Sequence, residues 1–341
     1  MNYDVTIGIP VYKSIHYIKR ALESALSQTY ASIEFLIVDD AGDDGSVDVA
    51  RQYMMTHPRG EHIHIISHPS NLGVSASRND IIDKAQGDYL YFLDSDDVMA
   101  EDAINLMMQN ILNYDAEIVF GSYEKIEISG EKATCQYPSL QLLEPDALAC
   151  FAYRKYAGIQ ASCCNYLVKI SLLREHQHHF ISSSYWEDLV FTSDLVTYIN
   201  RAVLLPDITY SYLCRKYSLS HYQQRKHISK EEVLQNVHSI DYLKRTSTLL
   251  YNKVYYPNRC YHIVLTDFYI ACTILKRRRD IIPIVSDSEI KKMMSHPASF
   301  SQILSFRQSQ LKNLLFYILG ILPSSICVSV IMCLGKMKKL I

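Results

Sequence analysis

The chain has little net charge, no C-x-x-C pair and no repeat, and each shortage removes a class of function. Its 34 Lys and Arg nearly balance 36 Asp and Glu, for a formal charge of -2. No global basic field is present, so nucleic acid is not an expected partner. Nine cysteines are scattered without a C-x-x-C pair. Their odd number fits reduced thiols better than a disulfide framework, with Cys163 and Cys164 as small core residues. The N-terminus has no basic segment followed by an apolar signal region, so a cytoplasmic protein is expected. The first apolar run leads into Pro10-Val11-Tyr12-Lys13-Ser14, not into a Gly-rich phosphate loop, which counts against a nucleotidyltransferase.

What is present is 48% apolar residues over 341 positions, enough for one main domain and an appended subdomain. From residue 4 to about 121, short apolar runs alternate with amphipathic stretches. Strands are expected at 5–11, 34–38, 62–66, 89–93 and 117–121, and helices at 14–28, 46–55, 74–86 and 100–112. Ser14 is a plausible N-cap, and Ile15, Ile18, Leu22, Ala25 and Leu26 recur at helical spacing. This rhythm gives an α/β class with a mainly parallel sheet, whose ligands bind beyond the carboxyl ends of the strands. Helical patches near 146–156 and 188–199 and a strand at 202–205 complete the domain, set at 1–225. Residues 226–341 read as a helical extension carrying the basic run Lys276, Arg277, Arg278 and Arg279. Within it, 314–334 holds no charge across 21 residues, long enough to cross a bilayer. Pro323, Ser324 and Ser325 interrupt that stretch, which suits an interfacial hairpin as well, and the flanking lysines favour the cytoplasmic face of a membrane.

The run YLYFLDSDD, residues 89–97, ends an apolar strand in Asp94, Asp96 and Asp97. Unpaired acids cannot follow the strand into the core, so they emerge at a sheet edge, where a D-x-D pair suits a hard cation such as Mg2+ or Mn2+. Capping of the next helix is the competing reading. A second strand end carries Asp39 and Asp40, and Pro10 and Tyr12 follow the first, where an aromatic ring can stack near a base. Asp39 can accept from a base imide or a ribose hydroxyl. Asp43 and Asp44 fit turn chemistry around Gly42 and Gly45. Arg78 lies on a helix starting near the crevice and reads either as a phosphate donor or as an ordinary ion pair. Glu187 and Asp188 supply a carboxylate that can act as a base, or they cap the N-terminus of the next helix. Trp186 is a stacking platform or a buried ring, and the closely spaced His176, His178 and His179 lack a convincing i, i+4 ligand pair.

Taken in order, IGIPVYKS, FLIVDDAGDDGS, NLGVSASRN, YLYFLDSDD and YWEDLVF resemble family 2 glycosyltransferases of the GT-A fold, over residues 4 to about 220. The resemblance implies a Rossmann-like nucleotide-sugar fold. It assigns the Asp39 and Asp40 region to the nucleoside, Arg78 to phosphate, Asp94 to ribose or metal, Asp96 to the metal and Asp188 to the base, with Glu187 beside it. Tyr212, Arg215, Ser218 and Ser220 look like the segment that closes the family's catalytic domain, with Arg215 on the diphosphate or acceptor. The implied activity is an inverting, metal-dependent transfer, hexosyltransferase in type, from a nucleotide sugar, expected to be a UDP-sugar. The acceptor is a hydroxyl of a glycan or lipid-linked molecule, in cell-surface polysaccharide synthesis at the inner face of the membrane. A binding protein without catalysis is the alternative from another class, and the presence of both acid pairs argues against it.

Overall fold

The computed structural model describes residues 3–154, 158–215 and 227–341. Two compact units emerge, Met1–Leu148 with Ala161–Lys216, and Ala149–Gln160 with Tyr217–Ile341. The expected boundary at 225 lies outside the described residues, as do Ser218 and Ser220. The second unit also takes in 149–160, which the sequence reading assigns to the first domain.

The first unit opens with strict alternation: β1 (Tyr3–Val11), α1 (Ile18–Leu26), β2 (Ile33–Asp39), α2 (Ser46–Thr56), β3 (Ile63–Ser67), α3 (Val74–Lys84) and β4 (Gly87–Phe92). The four strands are parallel in the order β3-β2-β1-β4. Helices cover the sheet, which explains why β1 and β2 are buried almost throughout and read as continuous apolar runs. Val11 pairs with Asp39, and Gly8 with Phe92. The three strands therefore finish at one edge, and Tyr12, Asp40 and Asp94 follow their ends there.

Gly8 sets the height of α3 over the sheet. A Cβ at that position would lie 2.4 Å from Ile81 Cγ2, and the β-branched Ile81 has little freedom to retreat. α1 begins at Ile18, later than expected, because the Ser14 carbonyl accepts from the Tyr17 and Ile18 amides in a preceding turn. Ser14 is therefore not the N-cap, and Ile15 is exposed. Ile18, Leu22, Ala25 and Leu26 do form the buried face.

The second half is less regular: β5 (Val98–Met99), α4 (Ala103–Tyr114), β6 (Ile118–Ile126), β7 (Lys132–Cys135), β8 (Leu140–Leu142), α5 (Ala147–Arg154), which from residue 149 belongs to the second unit, β9 (Tyr166–Lys169), α6 (Ile170–Glu175), α7 (Glu187–Leu195) and β10 (Ala202–Leu213). The sheet continues β4-β9-β6-β10-β5, and β9 is antiparallel to both β4 and β6. The sheet is thus mixed, where the sequence suggested a mainly parallel one. β9 escapes a pattern reading because its apolar run is only Tyr166, Leu167 and Val168, all buried. β10 continues to Leu213, well past 205, absorbing Pro206 and Asp207 between register shifts against β6. Cys163 and Cys164 are buried.

The second unit is helical. β11 (Ile228–Ser229) leads into α8 (Lys230–Ser247), started by a capping box between Ser229 and Glu232. Then come α9 (Tyr256–Lys276), β12 (Ile281–Ile282), which pairs with β11, α10 (Asp287–Met293), α11 (Phe300–Ser305), α12 (Gln310–Ile321) and α13 (Ser324–Met337). α9 is its centre, burying Cys260, Val264, Phe268 and Ala271. Buried Lys244 on α8 meets fully buried Asp267 on α9 at 2.7 Å. The basic run is partly paired: Arg277 binds Asp280 at 2.9 Å and Arg278 binds Asp287 at 2.7 Å. Among the described residues no helix is long and apolar enough to cross a membrane, so 314–334 does not form one spanning helix. Pro323 separates α12 from α13.

Candidate active site

Three acids leave β4 within four residues, and the fold gives each a different partner. Asp97 is buried and accepts from the Tyr210 hydroxyl at 2.7 Å and from the Leu213 amide at 2.8 Å, both on β10. Burial, with repulsion from Asp94 and Asp96, pushes its pKa up to about 8. Asp96 faces the Arg215 guanidinium, which itself lies over the Tyr17 ring at 5.2 Å. Its pKa is also raised, by burial and then by Asp94, against the pull of Arg215. The Asp96 carbonyl accepts from Arg20 at 3.1 Å. Asp94 is the most open of the three and accepts from Arg78 Nη2 at 2.9 Å.

Arg78 is buried, and the helix explains why. It shares one face of α3 with Ile81 and Ile82 at the i, i+3 and i+4 positions, so the face that enters the core carries the guanidinium in with it. Nη2 goes to Asp94, Nη1 donates to Glu187 at 2.8 Å, and the guanidinium lies 5.4 Å from the centre of the Phe180 ring. Phe180 stacks in turn on Phe191 of α7 at 3.9 Å. Burial works against the Arg78 charge and the surrounding acids outweigh it, raising its pKa. Both terminal nitrogens are thus committed to carboxylates, and Arg78 joins the D-x-D acid to the E-D pair.

Glu187 and Asp188 open α7, after Trp186 takes a left-handed φ of 62° and turns the chain into the helix. Glu187 is drawn inward by Arg78. Asp188 accepts from the Leu189 amide at 2.7 Å, and no ion pair falls on it among the described residues. Burial, then Glu187, push its pKa up to about 7, with Arg78 opposing. Neutral pH therefore leaves it divided between acid and base forms.

The other strand end behaves differently. The Asp40 carboxylate is filled by protein donors: the Leu72 amide at 2.7 Å, the Gly73 amide at 2.9 Å and His68 Nδ1 at 2.7 Å. It holds the loop before α3, where Gly73 adopts a φ of 91° that suits glycine. Asp39 is half-buried beside it. Pro10 is buried within β1, while Tyr12 is 44% exposed with the Lys13 ammonium 5.2 Å from its ring. Asp44 accepts from the Ile15 and Ser46 amides, each at 3.0 Å. The histidines are structural: His176 stacks on Tyr198, buried His178 bonds the Phe191 carbonyl at 2.9 Å, and His179 meets Asp83 at 2.8 Å.

Sequence reasoning does not find Tyr210, His68, Arg20 or Phe180, because each acts across a long sequence separation. A signal for Arg78 was present: a cation on the apolar face of a helix must find buried acids.

Residues 6–163 match the model of the family described as Glycosyl transferase family 2. The matched family 2 segment takes in Asp39, Arg78, Asp94 and Asp96, and it stops short of Glu187, Asp188 and Arg215. A chondroitin synthase of Pasteurella multocida is 32% identical over 145 residues, 38% of this chain and 15% of that protein. The chain spans half or less of the length of the first curated relatives it matches. Among solved structures, S. aureus TarS 1-349 in complex with UDP-GlcNAc aligns over 94% of this chain and 90% of its own, at 16% identity and a TM-score of 0.56. A mannosyltransferase from Pyrobaculum calidifontis, in complex with GDP-Man and Mn2+, aligns over 100% and 82% at 15% identity and a TM-score of 0.50. These likenesses show the GT-A fold with its helical C-terminal part.

Proposed function

We propose that the first unit is an inverting glycosyltransferase that moves a sugar from a nucleotide donor, expected to be a UDP-sugar, to a hydroxyl of a glycan or lipid-linked acceptor. The setting is cell-surface polysaccharide synthesis at the cytoplasmic face of the membrane. Relatives named for teichuronic acid biosynthesis and as a chondroitin synthase support polysaccharide synthesis, and neighbours bound to UDP-GlcNAc and GDP-Man support the donor class. The observation that carries the reading is the Arg78 bridge. It fixes Asp94, at the donor side, to Glu187, one residue from Asp188, on which no ion pair falls among the described residues and whose pKa burial pushes up to about 7.

Asp188 takes the proton of the acceptor hydroxyl as that oxygen attacks the anomeric carbon, and the bond to the nucleoside diphosphate breaks on the opposite face. Glu187, held by Arg78, sits beside Asp188 and raises the basicity of that carboxylate. Arg78 acts by positioning Asp94 and Glu187, a different role from the phosphate contact suggested by the sequence. Arg215 is partly exposed and is the cation within reach of a diphosphate. Tyr12 and Asp39 serve the base and ribose.

The donor set fits a divalent ion. Burial, and then repulsion among Asp94, Asp96 and Asp97, raises two of their pKa values, and the cluster is a surplus of hard oxygen ligands of the kind that Mg2+ or Mn2+ takes. Among the described residues no three His, Cys, Asp or Glu side chains are arranged to hold a metal, so Asp96 and Asp94 would share it with water and the donor phosphates. Bound there, the ion would supply positive charge for the departing diphosphate.

The test is a panel of nucleotide sugars offered to the purified chain, with donor hydrolysis and acceptor transfer as readouts, alongside Asp188→Asn. One donor class should be consumed with Mn2+ present. The variant should keep nucleotide affinity and lose about 10²- to 10⁴-fold in transfer. Unchanged transfer by Asp188→Asn would remove it as the base.

A further inference from the structure

The second unit carries a face that its own core does not use. Tyr256, Cys260, Ala298 and Ile303 form a buried cluster, with Leu314 and Tyr317 packed against it. The inward sides of α11 and α12 are thereby occupied. On α12 the stripe next to that side is apolar as well: Leu311 is 69% exposed, Leu315 60% and Ile318 43%. Their i, i+4, i+7 spacing puts them along one side of the helix. α13 repeats the pattern with Ile326 and Met337, 50% and 75% exposed, eleven residues and so about three turns apart.

Charge narrows what can cover these stripes. Residues 290–341 contain no Asp or Glu but hold Lys291, Lys292, Arg307, Lys312, Lys336, Lys338 and Lys339. The three lysines at the end of α13 and just beyond it are exposed. A second copy of this unit would bring like charges together around the apolar contact. An anionic surface complements both features at once. At 12 and 14 residues, α12 and α13 are each short of the roughly 20 residues a spanning helix needs, whereas an amphipathic helix with a basic border lies in the interface plane.

We propose that α12 and α13 dock flat on an anionic phospholipid surface, with Leu311, Leu315 and Ile318 entering the acyl boundary and Lys336, Lys338 and Lys339 meeting the headgroups. This rests on the proposed membrane-face location and is independent of the donor and the acceptor.

Co-sedimentation of the full chain with vesicles tests it, comparing phosphatidylcholine alone with a mixture containing phosphatidylglycerol. Binding should be at least about tenfold stronger to the anionic vesicles and should weaken with salt. Leu315→Asp with Ile318→Asp should lower it about tenfold or more while the thermal melt is unchanged, since both sites are exposed. Lys336→Gln, Lys338→Gln and Lys339→Gln together should erase the preference for anionic lipid. No binding by the parent chain, or equal binding by the double aspartate variant, would overturn the proposal. So would a concentration-dependent dimer that the double variant dissociates, because the face would then belong to a second copy. Donor hydrolysis measured in free solution separates the two readings. If hydrolysis persists without lipid binding, only the docking surface fails; binding without hydrolysis leaves the surface and removes the enzyme.

Discussion

The ends of β2 and β4 carry the same kind of sequence, an apolar strand running into aspartates, yet the protein treats them in opposite ways. At β2 the Asp40 carboxylate is filled by two backbone amides and an imidazole, partners fixed by the fold. At β4 the two less buried acids are held by arginines, Asp94 by Arg78 and Asp96 by Arg215. Amide-held carboxylates are structural because nothing can replace the donors without unfolding a loop. A carboxylate held by a side-chain cation can exchange that cation for another, and a metal ion is such a replacement.

The sharpest way to break this contrast is Asp96→Ala. We expect metal-dependent turnover to fall at least about a hundredfold, with the far-ultraviolet spectrum and melt retained; full turnover would place Asp96 with Asp40 among the structural acids. Next comes Arg78→Ala, which strands Asp94 and Glu187 together. Breaking a buried pair costs about 3–5 kcal/mol, and the partial exposure of Asp94 puts the expected loss in urea unfolding at the lower end. A loss of donor affinity with stability unchanged would return Arg78 to the phosphate. Asp40→Asn should cost about 1–3 kcal/mol, since one buried donor loses its acceptor, while donor affinity moves little. If affinity falls and stability does not, the two strand ends are alike after all.

The smallest effect concerns pH. The folded pKa of Asp188, about 7, lies above the ordinary carboxylate value, so ionising it costs stability progressively between about pH 4 and pH 7. Asp188→Asn removes that cost. The variant should gain on the parent in urea midpoint as pH rises across this range and hold a constant lead above it. A constant difference at all pH values would mean that Asp188 titrates as an ordinary surface acid.

Much of this site is legible in the sequence because strand direction and register do the placing. Once 5–11, 34–38 and 89–93 are strands of one parallel sheet, their following residues must meet at one edge. Partner choice is harder to read. Arg78 reaches Glu187 across 109 positions and Tyr210 reaches Asp97 across 113, and no local pattern encodes such a meeting. β9 is hidden by its length, and the far half of β10 by Pro206, which breaks the alternation that marks a strand. The buried Arg78 is the intermediate case: its helical spacing from Ile81 and Ile82 tells that it goes inward, but not which acids await it.

The double attachment of Asp97 to Tyr210 and Leu213 has a mechanical consequence. Leu213 is pinned beside the acids, and Arg215 stands two residues farther on, so at most about 7 Å of backbone separates the pin from the arginine. Arg215 is on a short leash. Whatever draws Asp96 away from it cannot carry the Arg215 backbone far from the acids. A positive charge thereby stays close to Asp96, next to the proposed diphosphate site.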